Sequence, residues 1–373
     1  VVLPIRRHRK VMLSGPMDDA QSTSWVSHEA PAQAPRFLFA FGGQGSQWAA
    51  MGHDLYQRFP VYRDALDAVD AAYSAASGVS LIGDHGLAQA HGLSEQDQTD
   101  VSVAMPSIVL TQVAIVSLLR SAGIGPTVVM GHSTGEMAAA WARGALSLDD
   151  LCRVIAVRAQ VQVQMPEGAM AAVGADIATV QRLISDMHLG GHVKLACRNA
   201  AGETTIAGDV DAIEHCVEVL ASRRISATRL PVRRAFHSHH TWPARQRIAG
   251  ALKGLRPQPS DIAMIGSVRG ATGLVTADAL GGAYWAANTC DPVEFAGACA
   301  QAKGAFDRVI EVSPRSVLAR YLRAAVGSAP TGVHHPTGGL ERGVLALAGE
   351  AFVAGVNVDW AALQPPQRFV GFQ

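Results

Sequence analysis

The stretch that decides the fold runs over ten residues, Thr127-Val128-Val129-Met130-Gly131-His132-Ser133-Thr134-Gly135-Glu136. A short apolar run typical of a buried strand leads directly into the pattern G-x-S-x-G, and a helix-forming segment follows at 136–143. In such a strand–turn–helix unit the tight turn exposes the serine hydroxyl, because the two glycines remove side chains that would clash there. The N-terminus of the helix adds free N–H groups and a positive dipole end. The pattern therefore predicts that Ser133 is a nucleophile, with the backbone N–H of Thr134 beside it as an oxyanion donor.

Strands and helices alternate on both sides of this unit. Apolar runs at 36–41, 262–265 and 308–312 are typical of buried strands, and the apolar pattern predicts helices at 106–122, 148–165 and 317–325. Ser147 with Asp150 resembles a capping box at the start of the helix at 148–165. The alternation indicates a large α/β core with the serine at the end of one strand.

Residues 168–231 follow a different order. Strand-like segments lie at 169–173, 192–197, 204–207 and 225–230, and helical segments lie at 177–187 and 210–222. The order βαββαβ is that of a ferredoxin-like unit. The expected fold class is therefore α/β, with a large α/β-hydrolase-like core and an inserted ferredoxin-like subdomain. We assign the catalytic subdomain to 36–167 and 232–326, the insertion to 168–231, and interpret 1–35 and 327–373 as linkers.

The composition excludes several classes of protein. Hydrophobic residues make up 49% of the 373 residues, and no stretch reaches the roughly 18 uncharged apolar residues that a membrane span needs. Lys+Arg and Asp+Glu are equal at 31 each, so no basic field attracts nucleic acid. The five cysteines are scattered without a CxxC pair, so we expect no disulfide framework, no metal site and a cytoplasmic protein. No signal peptide is recognised, and the lack of an initiator Met suggests a piece of a longer protein.

A serine nucleophile needs a base, and the chain has fourteen histidines. His237 stands out because it follows the last strand of the insertion, where the chain re-enters the core. His239 and His240 compete with it, and spacing alone does not choose among the three. Since no aspartate occupies a convincing third position, the sequence favours a Ser–His dyad over a triad.

Further motifs follow one another along the chain. They are Phe-Gly-Gly-Gln-Gly-Ser-Gln-Trp at 41–48 with Met51-Gly52, Gly-His-Ser-Thr-Gly-Glu at 131–136, Ala-Phe-His-Ser at 235–238, Tyr284-Trp285 with Asn288, Pro-Val-Glu-Phe at 292–295, Glu-Val-Ser-Pro at 311–314 and Gly-Val-Asn-Val-Asp-Trp at 355–360. Over about residues 36–360 this ordered set resembles malonyl-CoA:acyl-carrier-protein transacylases and the acyltransferase domains of modular type I polyketide synthases.

The resemblance implies roles for individual residues. Ser133 matches the family's nucleophile and His237 its general base. Gln44 would supply a second oxyanion N–H from its backbone, next to that of Thr134. Asn288 lies where the family has an Asn or Gln whose carbonyl orients the histidine ring, which would replace the missing aspartate by a neutral acceptor.

Arg158, 25 residues after Ser133, matches the family's arginine that pairs with the free carboxylate of malonyl-type substrates. A planar guanidinium suits this task because it can bind a carboxylate through two parallel hydrogen bonds. Without the resemblance, a lone arginine on a helix would be assigned to a solvated face. Its apolar neighbours Ala156, Val157 and Ala159 favour burial instead.

Several positions depart from the family's pattern. Met105 replaces a common Gln that lies near the active site in relatives, Thr134 differs from the commoner Leu, Ile or Gln, Arg234 replaces a His or Tyr, and Arg315 replaces a His. These changes leave the choice of acyl group open. Phe236 is the best indication, since a bulky ring beside the histidine accompanies unsubstituted malonyl units in the family.

The resemblance implies a ping-pong acyltransferase. A carboxyacyl (malonyl-type) extender unit would pass from coenzyme A through a Ser-linked acyl-enzyme to the phosphopantetheine thiol of an acyl carrier protein, among neighbouring polyketide-synthase domains and with no cofactor of its own. Three alternatives stay open: an acyl-thioester hydrolase on the same dyad, a catalytically silent docking module, and a methylmalonyl or larger extender unit.

Overall fold

A computed structural model describes residues 2–5, 8–13, 24–29, 33–270, 272–327, 330–334 and 339–364. The strands in chain order are β1 (Val2–Ile5), β2 (His8–Leu13), β3 (Ser24–Glu29), β4 (Phe37–Phe41), β5 (Val128–Gly131), β6 (Ala169–Val173), β7 (Val193–Ala200), β8 (Glu203–Gly208), β9 (Ala227–Arg229), β10 (Ala263–Gly266), β11 (Gly273–Leu274), β12 (Val293–Glu294), β13 (Arg308–Val312) and β14 (Thr331–Gly332). The helices are α1 (His53–Arg58), α2 (Pro60–Ser77), α3 (Leu81–His85), α4 (Glu95–Thr99), α5 (Val101–Ser121), α6 (Gly135–Ala142), α7 (Leu148–Val163), α8 (Ile177–Asp186), α9 (Val210–Ser222), α10 (Arg245–Ala251), α11 (Gly282–Cys290), α12 (Phe295–Ala302), α13 (Ala319–Val326) and α14 (Gly339–Val353).

The core is a six-stranded sheet in the order β11-β10-β5-β4-β13-β14. Its pairs are parallel except for β11, which lies antiparallel at one edge. Every residue of β4 and β5 is buried, as expected for parallel strands covered on both faces. The two strands end in register, with Phe41 opposite Gly131, so the loops that follow them meet at one edge of the sheet. That edge, at the carboxyl ends of the strands, is where open α/β sheets bind ligands.

The inserted unit has the predicted order β6-α8-β7-β8-α9-β9 and forms its own sheet in the order β7-β8-β6-β9. Its strands pair antiparallel, and α8 and α9 enclose a separate apolar core that includes Val180, Ile206 and Leu220. Both parts of the predicted fold class are thus confirmed. One pairing was not expected: β12, from the segment assigned to the catalytic subdomain, adds a parallel fifth strand beside β7.

The two segments interpreted as linkers contain regular structure. Within 1–35, β1, β2 and β3 form a three-stranded antiparallel sheet, and β2 and β3 contact α14. In the C-terminal segment β14 joins the core sheet, and α14 buries Leu340 and Val344 in the same apolar core as the catalytic subdomain. The sequence did not indicate this regular structure, because a Ser-, Pro- and Gly-rich composition marks the turns and not the short strands between them.

The long helix α5 begins at Val101, five residues before the predicted start at Pro106, because the Asp100 side chain accepts a hydrogen bond from the Ser102 N–H and caps it. By length and composition it could cross a membrane, contrary to the expectation from the sequence. It packs against α2, α6 and α7, and 89% of its most apolar window is buried. Its apolar composition therefore belongs to a core helix.

Candidate active site

The turn between β5 and α6 has the geometry of a nucleophile elbow. Ser133 has a φ of 51°, in the left-handed region that L-residues rarely adopt. A Cβ added at Gly131 would collide with the backbone nitrogen of Glu136, and one added at Gly135 would collide with the carbonyl oxygen of Phe41. Both flanking positions therefore require glycine, and the turn presents the serine side chain at the carboxyl edge of the sheet.

His237 is the histidine that the structure places against Ser133. Its Nε2 lies 2.7 Å from the Ser133 Oγ, and its Nδ1 lies 2.9 Å from the backbone carbonyl oxygen of Asp291. Because a carbonyl can only accept, Nδ1 carries the proton and Nε2 offers its lone pair to the serine hydroxyl. Burial, together with the nearby Arg158 cation, lowers the pKa of His237 to about 3. The ring is therefore neutral at physiological pH, the form that can accept a proton.

The two competing histidines point elsewhere. The Nε2 of His240 lies 2.7 Å from Asp209 Oδ1, and the Nε2 of His239 lies 3.5 Å from the same oxygen. Asp209 is the N-cap residue of α9 in the ferredoxin-like subdomain. The geometry thus separates three neighbouring histidines that spacing alone could not.

The prediction that Asn288 orients the His237 ring is wrong. Its Oδ1 accepts a hydrogen bond from Arg158 Nη1, and its Nδ2 donates to Glu136 Oε2 at 2.9 Å and to the Ser133 carbonyl oxygen at 3.2 Å. The acceptor for the histidine ring is instead the Asp291 carbonyl, one residue beyond the end of α11. Carbonyls at a helix C-terminus have no intrahelical partner, so this one is free to bind the ring.

Arg158 on α7 is buried, with 3% of its surface exposed. Its Nη2 donates to Ser133 Oγ at 2.9 Å and its Nη1 to Asn288, while its buried Nε has no hydrogen-bond partner in the described part of the chain. Burial lowers the pKa of Arg158 to about 10, which still leaves it charged at neutral pH. The described residues include no ion pair for this guanidinium, so a buried cation lies beside Ser133 without a carboxylate partner.

A buried carboxylate network supports this cation, and the sequence analysis missed it. Glu136 is fully buried, and its two oxygens accept hydrogen bonds from the Ser267 Oγ at 2.7 Å, the Ser267 N–H, the Tyr284 hydroxyl at 2.8 Å and Asn288. Burial raises the pKa of Glu136, and these donors act in the opposite direction. The sequence motifs include Glu136 and Tyr284 but do not indicate that the two side chains meet. A Glu in the first turn of a buried helix nevertheless needs such hydrogen-bond partners.

Two backbone amides lie at the elbow. The loop after β4 brings Gly43 against Thr134, since a Cβ at Gly43 would lie 3.8 Å from the Thr134 nitrogen. The N–H groups of Gln44 and Thr134 donate to no acceptor in the described part of the chain. Both residues line the cavity that contains Ser133, so the structure brings the two predicted oxyanion donors to the same place.

That cavity, of about 300 Å³, lies between the core and the ferredoxin-like subdomain. The core contributes Ser133 and His237, and the subdomain contributes Met170 and Asn199. Phe236 also lines it, next to the histidine, as predicted for a residue that limits the acyl group.

Met105 does not line the cavity. It is fully buried in α5, where its side chain belongs to the apolar core around that helix. The predicted position of Met105 at the site is therefore not found. Its neighbour Ala104 lines an adjacent groove with Arg234 and Phe236.

His132 also makes a contact between the two subdomains, which sequence reasoning did not identify. Its Nε2 lies 2.8 Å from Asn199 Oδ1 on β7, and its ring contacts the Phe295 ring in a tilted arrangement, with 5.2 Å between the ring centroids. Burial lowers the pKa of His132, which keeps the ring neutral. His132, the residue before Ser133, thus links the elbow to the inserted sheet by a hydrogen bond.

Comparison with known proteins adds independent findings. A family model described as an acyl transferase domain matches residues 38–357. The chain is 33% identical over 359 residues to a highly reducing polyketide synthase of Aspergillus terreus, a match that covers 88% of this chain and 15% of that protein. It is 32% identical over 363 residues to a hybrid PKS-NRPS synthetase of Neonectria sp. (strain DH2), covering 92% of this chain and 9% of that protein. The chain therefore spans less than a fifth of the length of these relatives.

Solved structures resemble the fold over nearly its whole length. The acyltransferase domain from the second module of the salinomycin polyketide synthase superimposes with a TM-score of 0.83 at 28% identity, covering 96% of this chain and 85% of that one. The acyltransferase domain of SpnD, in a complex with 2-(pent-4-yn-1-yl)malonyl, gives a TM-score of 0.77 at 29% identity, covering 90% and 80% of the two chains.

Proposed function

Because the chain belongs to the acyl transferase domain family, with polyketide synthases as its relatives, we propose that it loads a carboxyacyl extender unit of the malonyl type. The unit would pass from coenzyme A to the phosphopantetheine thiol of an acyl carrier protein. The observation that carries this proposal is Arg158: a buried guanidinium with no carboxylate partner among the described residues, 2.9 Å from the Ser133 hydroxyl.

The proposed reaction has two half-steps. Ser133 Oγ attacks the thioester carbonyl carbon while its proton passes to His237 Nε2, and the oxyanion accepts hydrogen bonds from the Gln44 and Thr134 amides. When the intermediate collapses, the C–S bond breaks and the coenzyme A thiolate takes the proton from His237. A phosphopantetheine thiol then attacks the acyl-serine ester, gives its proton to His237, and Ser133 recovers its proton as it leaves.

The position of Arg158 suits a malonyl group. In malonyl-serine a single methylene separates the ester carbon from the free carboxylate, so this carboxylate must lie close to Ser133. Arg158 Nη2 is within hydrogen-bond distance of Ser133 Oγ, and its buried Nε has no hydrogen-bond partner in the described part of the chain. Binding of a carboxylate to both nitrogens would satisfy this Nε. A hydrolase of simple acyl thioesters has no need of this buried cation, which favours the acyltransferase over that alternative.

Phe236 bears on the size of the extender unit. Phe236 lines the cavity beside His237 and narrows it, which favours unsubstituted malonyl. The related SpnD domain, whose structure holds a substituted malonyl group, supports the carboxyacyl class as a whole. The carrier protein, the neighbouring synthase domains and a cytoplasmic location are part of the proposal. The five cysteines are buried free thiols, which agrees with a reducing compartment.

Arg158→Ala is the test of this proposal. Removing one partner of a buried, charge-assisted pair costs about 2–5 kcal/mol, which corresponds to roughly 30-fold to several thousand-fold in kcat/KM for malonyl-CoA. Acetyl-CoA has no carboxylate, so its transfer should stay unchanged or increase. Lys at this position should restore only part of the loss, since an ammonium group cannot make the two parallel hydrogen bonds of a planar guanidinium. The measurement is the ratio of malonyl to acetyl loading, by mass of the acyl-enzyme.

The matched control is Arg153→Ala on the same helix, where the arginine is partly exposed and pairs with Asp150. It should leave the ratio unchanged. If malonyl and acetyl loading fall by the same factor in Arg158→Ala, the residue is structural and the dicarboxylate proposal fails.

Asn288→Ala tests the corrected role of the asparagine. It removes the acceptor for Arg158 Nη1 and one donor to Glu136, so we expect malonyl loading to fall by about 5- to 150-fold, the equivalent of about 1–3 kcal/mol for a buried polar group left unpaired. His237 keeps its bond to Asp291, so labelling of Ser133 by a neutral fluorophosphonate should be retained. A parallel loss of labelling would mean that Asn288 orients the histidine after all.

A further inference from the structure

A second group of polar side chains lies outside the catalytic residues, at the junction of the two subdomains. Asp209, at the start of α9, faces His239 and His240, which follow His237 in the core segment. His192, just before β7, completes the group, with its Nδ1 2.8 Å from Asp209 Oδ2. The proposed acyl transfer uses none of these four side chains.

Their geometry is convergent. The Nε2 atoms of His239 and His240 approach the same oxygen, Asp209 Oδ1, at 3.5 Å and 2.7 Å. Asp209, His239 and His240 each offer one ligand atom, and these atoms lie within 4.8 Å of one another. Two imidazoles and one carboxylate, with a water in a fourth position, form the ligand set of many open zinc sites.

The histidine rings can present the required lone pairs. A metal ion bound at Nε2 needs the ring proton on Nδ1, and the Nδ1 atoms of His239 and His240 have no hydrogen-bond partner in the described part of the chain. With the proton on Nδ1, the bonds of the two Nε2 atoms to a metal ion would replace their present contacts with Asp209 Oδ1. The three side chains are partly accessible to an ion from solution. Their exposed fractions are 8% for His240, 24% for His239 and 42% for Asp209.

The second oxygen of the carboxylate is already held. His192 engages Asp209 Oδ2, which leaves Oδ1 directed at the two rings. Hydrogen bonds of this kind orient a ligating carboxylate and typically contribute 10- to 100-fold to metal affinity. The positive charge of Lys194 opposes the binding of a cation nearby. Its ammonium group is, however, engaged by the Trp242 ring, 5.5 Å from the ring centroid.

We propose that Asp209, His239 and His240 bind a divalent transition-metal ion of the zinc type, with His192 orienting the carboxylate. This inference differs from the expectation of no metal site and does not depend on the proposed acyl transfer. Because the ligands come from both subdomains, a bound ion would cross-link the ferredoxin-like subdomain to the segment that follows His237.

The experiment uses the full chain, freed of metal by a chelator and then titrated with Zn²⁺ by calorimetry and with Co²⁺ by visible absorption. We expect one tight equivalent, the visible bands of Co²⁺ in a low-coordinate nitrogen and oxygen site, and a rise in Tm with Zn²⁺. His240→Ala and Asp209→Asn should abolish the tight equivalent, and His192→Ala should weaken it by about 10- to 100-fold.

His215→Ala is the matched control, because His215 is an exposed histidine on α9 that is not part of this group. It should bind Zn²⁺ like the wild type. Should Asp209→Asn fail to fold, His239→Gln, which keeps a polar side chain of similar size, replaces it and should lose both the Co²⁺ bands and the rise in Tm. A wild type without a tight equivalent, or wild-type Zn²⁺ affinity in both His240→Ala and His239→Gln, overturns the proposal.

Discussion

Ser133→Ala is expected to abolish the acyl-enzyme that forms on incubation with malonyl-CoA, with no residual adduct in the intact-protein mass. Ser133 combines a left-handed φ of 51°, a position between two obligatory glycines and an Oγ 2.7 Å from a neutral imidazole. Without the hydroxyl, the histidine has no nucleophile to activate, so the loss is complete and not a matter of degree.

The one competing nucleophile worth a control is Cys197, whose thiol side chain lines the same cavity. Burial raises the pKa of Cys197 to about 12, so it is a neutral thiol at physiological pH and a poor nucleophile. Cys197→Ala should therefore form the acyl-enzyme as the wild type does. An adduct in Ser133→Ala that maps to Cys197, or to any other residue, would show that the nucleophile is misassigned.

His237→Ala is expected to lower the rate of acyl-enzyme formation by about 10²–10⁴-fold, the usual contribution of a general base. The fall should appear in single-turnover acylation with malonyl-CoA and with acetyl-CoA alike, since the base acts on the serine and not on the carboxylate. This distinguishes it from Arg158→Ala, in which the two substrates should diverge.

The neighbouring histidines provide matched controls. Their Nε2 atoms point to Asp209 and not to Ser133, so His239→Ala and His240→Ala should retain most of the acylation rate. Equal losses in all three variants would contradict the assignment of His237 as the base.

The parts of the fold with strong periodicity could be predicted from the sequence. The limits of β6, α9 and β13 agree with the predicted segments, because their apolar patterns end at clear turn or capping residues. The two-residue β12 carries no pattern of its own, and nothing local indicates that it pairs with β7. Pairing of this kind depends on contacts between distant segments, which a local pattern does not record.

The candidate site divides in a similar way. Ser133 could be located from the strand–turn–helix pattern around it, and His237 and Arg158 from the family resemblance. The acceptor of the His237 ring could not, because a backbone carbonyl has no residue-specific signal, and Asn288 was chosen in its place. Glu136 was overlooked for a related reason: its importance lies in four hydrogen bonds to residues far away in the chain.

The pairing of β12 with β7 has a mechanical consequence for the His237 ring. Asp291, whose carbonyl holds the His237 ring, lies two residues before Val293, the residue of β12 that pairs with Cys197. Any hinge motion that carries the inserted sheet away from the core must pull on this short tether and shift the carbonyl. The position of the inserted sheet and the orientation of the His237 imidazole are thereby linked through three consecutive residues of backbone.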